Sequence, residues 1–118
     1  MASDITWKQF QAQIGEVGTV EVKDGVVTIN VNLVTGKTYL DLNSAGVTEF
    51  VHKFVDGCNR AQAMVNQNLL PAEHLQSFPD SYITPPQQDS DGKNISISTQ
   101  QVVTKLVQGT GEVLTYQP

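Results

Sequence analysis

Two short turns constrain the first half of this chain more than any other feature of the sequence. Asp24-Gly25 and Thr35-Gly36 are residue pairs that commonly connect antiparallel strands, because glycine accepts a positive φ angle without steric penalty. The sequence therefore predicts a three-stranded antiparallel meander. Its strands are expected at about residues 18–23, 26–34 and 37–42.

The turns also predict which residues face each other. Counting outward from the first turn pairs Val22 with Val27, and the next pair on the same face is Val20 with Ile29. The second turn extends this apolar face onto a third strand, and a slip of one residue would turn the face outward. The residues expected to be buried on it are Val20, Val22, Val27, Ile29, Val31, Leu40 and Leu42.

Helical periodicity appears on both sides of the meander. A short helix is expected over about residues 4–14, with Ser3 as its N-cap. A much longer helix is expected over about residues 45–69, because its apolar residues recur at alternating spacings of four and three. Those residues are Val47, Val51, Phe54, Cys58, Ala61 and Val65.

A glycine lies inside the predicted long helix. Gly57 costs about 1 kcal/mol relative to alanine at such a position. The apolar stripe keeps its phase across it, so we expect one continuous helix. The predicted helix is longer than the strands of the meander, so part of its apolar stripe would extend beyond the sheet. Apolar surface around Met64, Val65 and Leu69 would then be covered by residues 95–116 or by a second copy of the chain.

The next segment of the chain is rich in proline and polar residues. Pro71 is suited to begin a single helical turn, and an irregular loop is expected over about residues 79–94. Residues 94–98 alternate between polar and apolar side chains, which predicts a short strand.

The C-terminal quarter fits two descriptions. Residues 99–108 favour a helix because Ser98 and Gln101 match a capping box, whereas the β-branched residues in this stretch favour a strand. We expect the helix. A closing strand is expected over residues 112–116.

Together, these elements predict a single α+β domain that spans residues 1–118. An antiparallel β-meander is expected to be packed on one face by the long helix and the short N-terminal helix. The composition agrees with this class, since 39% of the residues are hydrophobic and 16% are charged, as in globular domains.

The charge of the chain argues against several classes of partner. Seven basic residues are scattered among twelve acidic ones, for a formal net charge of −5. Nucleic acids and anionic membranes both require a concentrated basic surface, so we expect neither as a partner. The N-terminal segment lacks the features of a secretion signal, and no apolar run reaches the ~20 residues that span a bilayer. We expect a cytoplasmic protein.

Two stretches resemble ligand-binding motifs but lack the required context. Residues 36–38 (Gly-Lys-Thr) match the end of a phosphate-binding loop, yet a strand rather than a helix is predicted to follow. Residues 89–94 alternate oxygen-bearing side chains as calcium loops do, but Asn94 occupies the position where an EF-hand needs glycine. We therefore expect polar turns at both places, and neither a metal ion nor a cofactor.

Three reactive side chains lie close together on the predicted long helix. His52 and Asp56 are one helical turn apart and could form a carboxylate-oriented histidine. Cys58 points about 120° away from His52 and belongs to the apolar stripe. We expect a buried cysteine that His52 does not activate, and we assign no catalytic residue.

The polar face of the predicted meander is a candidate ligand-binding surface. A solvated sheet face accounts for the same residues without any ligand. The residues that we name as candidates for ligand binding are Asn30, Asn32, Tyr39, Asp41, His52 and Tyr82.

Two functions remain open from the sequence. The first is a non-enzymatic protein-interaction or regulatory module that acts as a homodimer, with another protein as the alternative partner, because the long helix has surplus apolar surface. The second is a small-molecule-binding domain, enzymatic or not, with a pocket between the sheet and the long helix that the 79–94 loop gates. A ligand-sized cavity lined by converging polar groups would favour the second.

Overall fold

We describe residues 4–105 of this protein from a computed structural model. The α-helices in this range are α1 (Trp7–Ile14), α2 (Val31–Thr35) and α3 (Val47–Asn66). A single 3₁₀ turn, Pro71–Glu73, begins at the predicted proline. The strands are β1 (Val20–Lys23), β2 (Val26–Ile29), β3 (Tyr82–Ile83), β4 (Gln87–Gln88), β5 (Asn94–Ile95) and β6 (Ser98–Thr99). They form three two-stranded antiparallel sheets, β1–β2, β3–β6 and β4–β5.

The fold class is α+β, as predicted, and the core lies where α3 meets α1, α2 and the β1–β2 hairpin. Phe10, Val34 and Cys58 are buried at its centre. The ring centroids of Phe10 and Phe54 lie 4.7 Å apart, a favourable separation for an aromatic pair. The partly buried residues around this centre are Ile5, Ile14, Val20, Ile29, Phe50, Phe54 and Phe78.

Helix α3 is continuous across Gly57, as predicted, although it is shorter than the predicted range. Gly57 is buried against α1. A Cβ atom at this position would lie 2.9 Å from Cε1 of Phe10 and 3.3 Å from Cδ1 of Ile14. The glycine that is unfavourable for the helix alone therefore allows α1 and α3 to approach closely, with Phe10 in the core.

The N-terminal helix forms but begins later than predicted. The Thr6 hydroxyl accepts a hydrogen bond from the backbone N–H of Gln9 at 3.1 Å. The Gln9 side chain accepts one from the backbone N–H of Thr6 at 2.8 Å. This capping box starts the helix at Trp7, so the predicted start near residue 4 was wrong. The predicted cap, Ser3, lies outside the described residues.

The first predicted hairpin forms with the predicted register. Val22 pairs with Val27, and the two turn residues have positive φ angles of 52° and 77°. Burial is confined to the base of the hairpin, where Val20 and Ile29 pack against the core. Val22 and Val27 are 63% and 39% exposed, so their predicted burial was wrong. The turn determines the register, whereas burial depends on cover that the core provides only at the base.

The predicted third strand was wrong, because the residues after β2 form α2 instead. The Asn30 side chain accepts a hydrogen bond from the backbone N–H of Leu33 at 3.1 Å and caps this helix. Gly36, at φ 73°, donates its N–H to the carbonyl of Asn32 at 2.8 Å and ends it. A glycine with positive φ suits a hairpin turn and a helix end equally, so Thr35-Gly36 was misinterpreted.

Without a third strand, the apolar residues predicted to lie on it are uncovered. Residues 37–42 form no regular structure, and Leu40 and Leu42 are 90% and 104% exposed. Val31 lies at the start of α2 and is 38% exposed. The predicted burial of these three residues was therefore wrong.

Three amide side chains of α3 hold the segment that follows the 3₁₀ turn. Asn66 bonds both backbone groups of Leu75, accepting from its N–H at 2.8 Å and donating to its carbonyl at 3.0 Å. Gln62 does the same for Phe78, at 3.1 and 3.0 Å. Asn59 donates to the same Phe78 carbonyl at 2.9 Å. We call Asn59, Gln62 and Asn66 the amide ladder, since they satisfy backbone groups that a neighbouring strand would otherwise pair.

The segment predicted as an irregular loop, residues 79–94, is partly ordered into strands. β3 pairs with β6, which places Tyr82 opposite Thr99. β4 pairs with β5 across a polar turn at residues 89–93. The strand predicted over residues 94–98 is divided between β5 and β6.

The helix favoured for residues 99–108 was wrong over its described part. Thr99 belongs to β6, and residues 100–105 have no regular secondary structure. Residues 106–108 and the predicted closing strand at 112–116 lie outside the described residues. The capping-box pattern at Ser98 and Gln101 is therefore not followed by a helix, and Ser98 pairs with Ile83 in a sheet instead.

Candidate functional site

The sheet face on which four ligand-binding candidates were predicted does not form, because α2 replaces its central part. Asn30 instead caps α2, and Asn32 lies inside it. Asp41 lies in the following loop, where its carboxylate accepts a hydrogen bond from the backbone N–H of Asn43 at 2.9 Å. Asn30 and Asp41 therefore do not face each other on neighbouring strands, as the predicted meander required. A ligand-binding role for these side chains individually stays a prediction.

Tyr39, the fourth of these candidates, anchors the loop between α2 and α3. Its ring lies against Gly46, where a Cβ atom would fall 2.7 Å from both Cζ and Oη of the tyrosine. The phenol oxygen is buried and has no hydrogen-bond partner among residues 4–105. The ring thus packs inward and holds the two ends of the loop together.

The remaining candidates, His52 and Tyr82, both lie beside β6. Nε2 of His52 is 3.1 Å from Oγ of Ser98, which connects β6 to α3. Tyr82 is 66% exposed on the neighbouring strand β3. The carboxylate-oriented histidine considered from the sequence does not form, because Asp56 pairs with Arg60, with 3.2 Å between Oδ2 and Nε.

Cys58 is buried, as predicted, with 3% of its surface exposed. Burial raises the pKa of its thiol to about 12, because the thiolate would lose its hydration, and the charge of Asp4 adds to the effect. The thiolate is the reactive form of cysteine, and almost none is present at neutral pH. Cys58 is therefore a core residue. Its slow reaction with thiol reagents stays a prediction.

The first of two clefts, the charged cleft, is an open groove of about 480 Å³ between α1, α2 and α3. Its charged side chains are Lys53, Asp56 and Arg60, and His52 lies beside them. Nη1 of Arg60 donates to the carbonyl of Gln13 at 3.4 Å, so this guanidinium spans from α3 to the end of α1. Two cations against one carboxylate give the cleft a positive balance within a chain of net charge −5.

The second cleft, the apolar cleft, measures about 470 Å³ and lies between α1 and the C-terminal half of α3. It coincides with the surplus apolar surface predicted for that end of the helix, and Met64 in its wall is 51% exposed. Neither of these two clefts is lined by a residue of the 79–94 segment. The lining residues of the apolar cleft are Gln9, Ala12, Gln13, Ala61, Met64, Val65, Asn68 and Leu69.

Four apolar side chains at the beginning of α3 and in the loop before it are exposed. We call this set of side chains the leucine surface. Beside this surface, Nζ of Lys37 pairs with Oε2 of Glu49 at 2.8 Å, which ties the loop to α3. The hydrogen bond to Glu49 raises the pKa of Lys37. The members of the leucine surface are Leu40, Leu42, Val47 and Val51, which are 90%, 104%, 76% and 50% exposed.

The sequence contained a signal for the amide ladder that was not recognised. Asn59, Gln62 and Asn66 recur at i, i+3 and i+7, so they share one helix face. Amide side chains on a helix face next to the apolar stripe indicate that this face forms hydrogen bonds with another part of the chain. The sequence of the leucine surface was misleading. Leu40 and Leu42 alternate with the polar Asp41, which is the pattern of a strand.

Residues 4–105 contain neither a membrane-spanning helix nor a cluster of metal-binding side chains. No helix in this range is long and apolar enough to cross a membrane. No group of three or more histidine, cysteine, aspartate or glutamate residues is placed there to hold a metal ion. The Asp89 carboxylate accepts from the backbone N–H groups of Asp91 and Lys93, both at 2.9 Å, so it stabilises the predicted polar turn.

Comparison with known proteins gives no family for this chain. No protein-family model matches it, and neither a curated protein nor a solved structure shows significant similarity to it. Functional inference therefore rests on the three surfaces described above: the charged cleft, the apolar cleft and the leucine surface.

Proposed function

We propose that this protein is a non-enzymatic interaction module that acts as a homodimer through the leucine surface. The observation that carries the proposal is the exposure of Leu40 and Leu42, at 90% and 104%. Side chains this exposed add no hydrophobic stabilisation to the monomer. Burying one leucine against a partner would stabilise a complex by about 1.5–3 kcal/mol.

Three contacts constrain the loop that presents the leucines. The Tyr39 ring packs against Gly46, and Lys37 pairs with Glu49. Between these two contacts, the Asp41 carboxylate accepts a hydrogen bond from the backbone N–H of Asn43 and stabilises a turn. Because these contacts already order the loop, little conformational entropy remains to be lost when a partner binds.

A second copy of the chain is the partner that we favour. A two-fold contact would place the leucines of one copy against Val47 and Val51 of the other, so that one surface provides both halves of the interface. Few charges oppose such a contact, since only 16% of the residues are charged. Two-fold homodimers are also the commonest oligomers.

Light scattering after size exclusion tests the proposal, with the protein at about 1 to 100 μM. We expect twice the 12.9 kDa mass of one chain for the wild type, and a monomer for Leu42→Asp. Val17→Asp is the matched control, because Val17 is 94% exposed in the turn after α1 and should leave the dimer intact. Both changes place a charge in solvent, so circular dichroism should show that each variant remains folded.

Two results would contradict this interface. A wild-type mass that stays monomeric at every concentration excludes the homodimer. A dimer that survives Leu42→Asp but dissociates with Met64→Asp moves the interface to the apolar cleft.

Small-molecule binding, the alternative function, is supported by one observation, the converging charges of the charged cleft. That cleft lies among three helices rather than between a sheet and α3. A cytoplasmic location also belongs to this proposal, and fractionation of cells that express the native chain would test it.

A further inference from the structure

We propose that the charged cleft binds a small oxyanion, a carboxylate or phosphate group, between Lys53 and Arg60. This inference does not depend on the homodimer. Val51 of the leucine surface and Lys53 are two residues apart on α3, so they face nearly opposite sides of the helix at about 100° per residue. The two surfaces can therefore be tested separately.

The first argument is that Arg60 is already positioned. Its Nε lies 3.2 Å from Oδ2 of Asp56, and its Nη1 lies 3.4 Å from the carbonyl of Gln13. A guanidinium carries five N–H donors in one plane, and these two contacts leave the others available. A planar group that is held at two points loses little freedom when it binds an anion.

The second argument is that Lys53 has lost its usual helical partner. Glu49 lies one turn before Lys53, in the favourable order for a helical ion pair. Glu49 is instead bound to Lys37 at 2.8 Å. Among residues 4–105, Lys53 forms no ion pair, so its charge is uncompensated in the cleft.

The third argument concerns the balance of charge at the point of binding. Asp56 is the one carboxylate among the residues that line this cleft, and Arg60 offsets its charge. Lys53 and Arg60 are seven residues apart on the same side of α3, about 10.5 Å along the axis. Asp56 lies between them on that side, so the anion would bind through Lys53 and through those N–H groups of Arg60 that Asp56 and Gln13 leave free.

The walls of the cleft add selectivity for small ligands with an apolar part. Ile14, Leu33 and Val34 form its apolar side, against which the hydrocarbon part of a ligand could pack. The volume of about 480 Å³ is within the range of small-molecule sites. A small organic acid or a phosphate monoester matches this combination.

The test is a nuclear magnetic resonance titration of the ¹⁵N-labelled full chain with two probes, inorganic phosphate and succinate. Sodium chloride at matched ionic strength is the control for screening. We expect saturable shifts of the amide signals of Lys53 and Arg60. Lys53→Gln and Arg60→Gln should each weaken binding about tenfold. Lys8→Gln, at an exposed position on α1, should leave it unchanged.

Each outcome of the titration has a defined meaning. Saturation with only one probe assigns the site to phosphate or to carboxylate ligands. Shifts no larger than those from sodium chloride, or binding by Lys53→Gln that equals wild type, would overturn the proposal. Lys53→Gln is a more specific test than Arg60→Gln, because it breaks no ion pair within residues 4–105. Leu42→Asp should bind the anion as wild type does, so failure of the homodimer and failure of this site are distinguishable.

Discussion

Gly57→Ala would test the closest helix–helix contact in the core. Alanine is a better helix former than glycine by about 1 kcal/mol, so the substitution should stabilise an isolated α3 by that amount. In the folded protein the added methyl carbon would lie 2.9 Å from Cε1 of Phe10. The two effects have opposite signs, and their sizes determine the result.

The packing effect is expected to be the larger one. Phe10 is 1% exposed, and its ring already contacts Phe54 at a centroid separation of 4.7 Å. Movement of the ring away from the methyl group would therefore disturb its packing against Phe54. Overpacking of a filled core costs about 1–3 kcal/mol. With the helix gain subtracted, Gly57→Ala should lower the free energy of unfolding by about 1 kcal/mol.

Urea denaturation followed by far-ultraviolet circular dichroism measures this change. Ala63→Gly is the control for helix propensity, because Ala63 is exposed on the same helix and its substitution should cost about 1 kcal/mol without any packing term. Adding Phe10→Leu to Gly57→Ala removes the ring that the methyl group meets. The two changes should therefore couple favourably, by about 0.5–3 kcal/mol.

An increase of about 1 kcal/mol for Gly57→Ala alone would refute this reasoning. It would mean that helix propensity decides the outcome and that α1 does not approach α3 as closely as the contact with Phe10 requires. Additive effects of the two substitutions would point to the same conclusion.

Three further perturbations follow from the contacts described above. Gln62→Leu should lower the free energy of unfolding by about 1–3 kcal/mol, because the Phe78 N–H loses its partner; an equal loss for the exposed control Gln67→Leu would argue against this cause. Tyr39→Phe should raise the melting temperature, since it removes a buried hydroxyl without a partner; a lower value would reveal a hydrogen bond. The pKa of Cys58 is raised from 9.0 to about 12, so the folded state favours the protonated thiol and its stabilisation is lost as pH rises between these values. The free energy of unfolding should fall by up to about 1.4 kcal/mol per pH unit in this range. Cys58→Ala should reduce that slope. Rapid alkylation of the native thiol at pH 7 would contradict the burial of Cys58.

Local turn chemistry explains why the first hairpin could be predicted to the residue. Its register follows from Asp24-Gly25 alone and needs no information from the rest of the chain. Thr35-Gly36 shows the limit of the same signal. A glycine with positive φ also ends helices, and the Asn30 cap six residues before Gly36 favours α2 over a strand.

The charged cleft could not be predicted because it depends on contacts between distant parts of the chain. The charged cleft joins the end of α1, α2 and the polar face of α3. Within residues 4–105, Lys53 forms no ion pair and Glu49 binds Lys37 of the loop before α3, a contact that helix periodicity does not predict. The burial of Cys58 and Ala61 follows from helix periodicity and was predicted, whereas Val47 and Val51 of the same stripe are 76% and 50% exposed.

The amide ladder constrains the sequence of α3 differently from the sequence of the segment that it holds. Gln62 and Asn66 bond only main-chain atoms of Leu75 and Phe78, and those atoms are nearly the same in every amino acid. An exposed position of the held segment such as Gln76 can therefore change freely, proline excepted, without loss of a ladder bond. On the helix, only asparagine and glutamine carry a donor and an acceptor side by side. The amide bonds therefore leave position 76 free to vary during evolution, whereas positions 62 and 66 must keep an amide side chain to retain them.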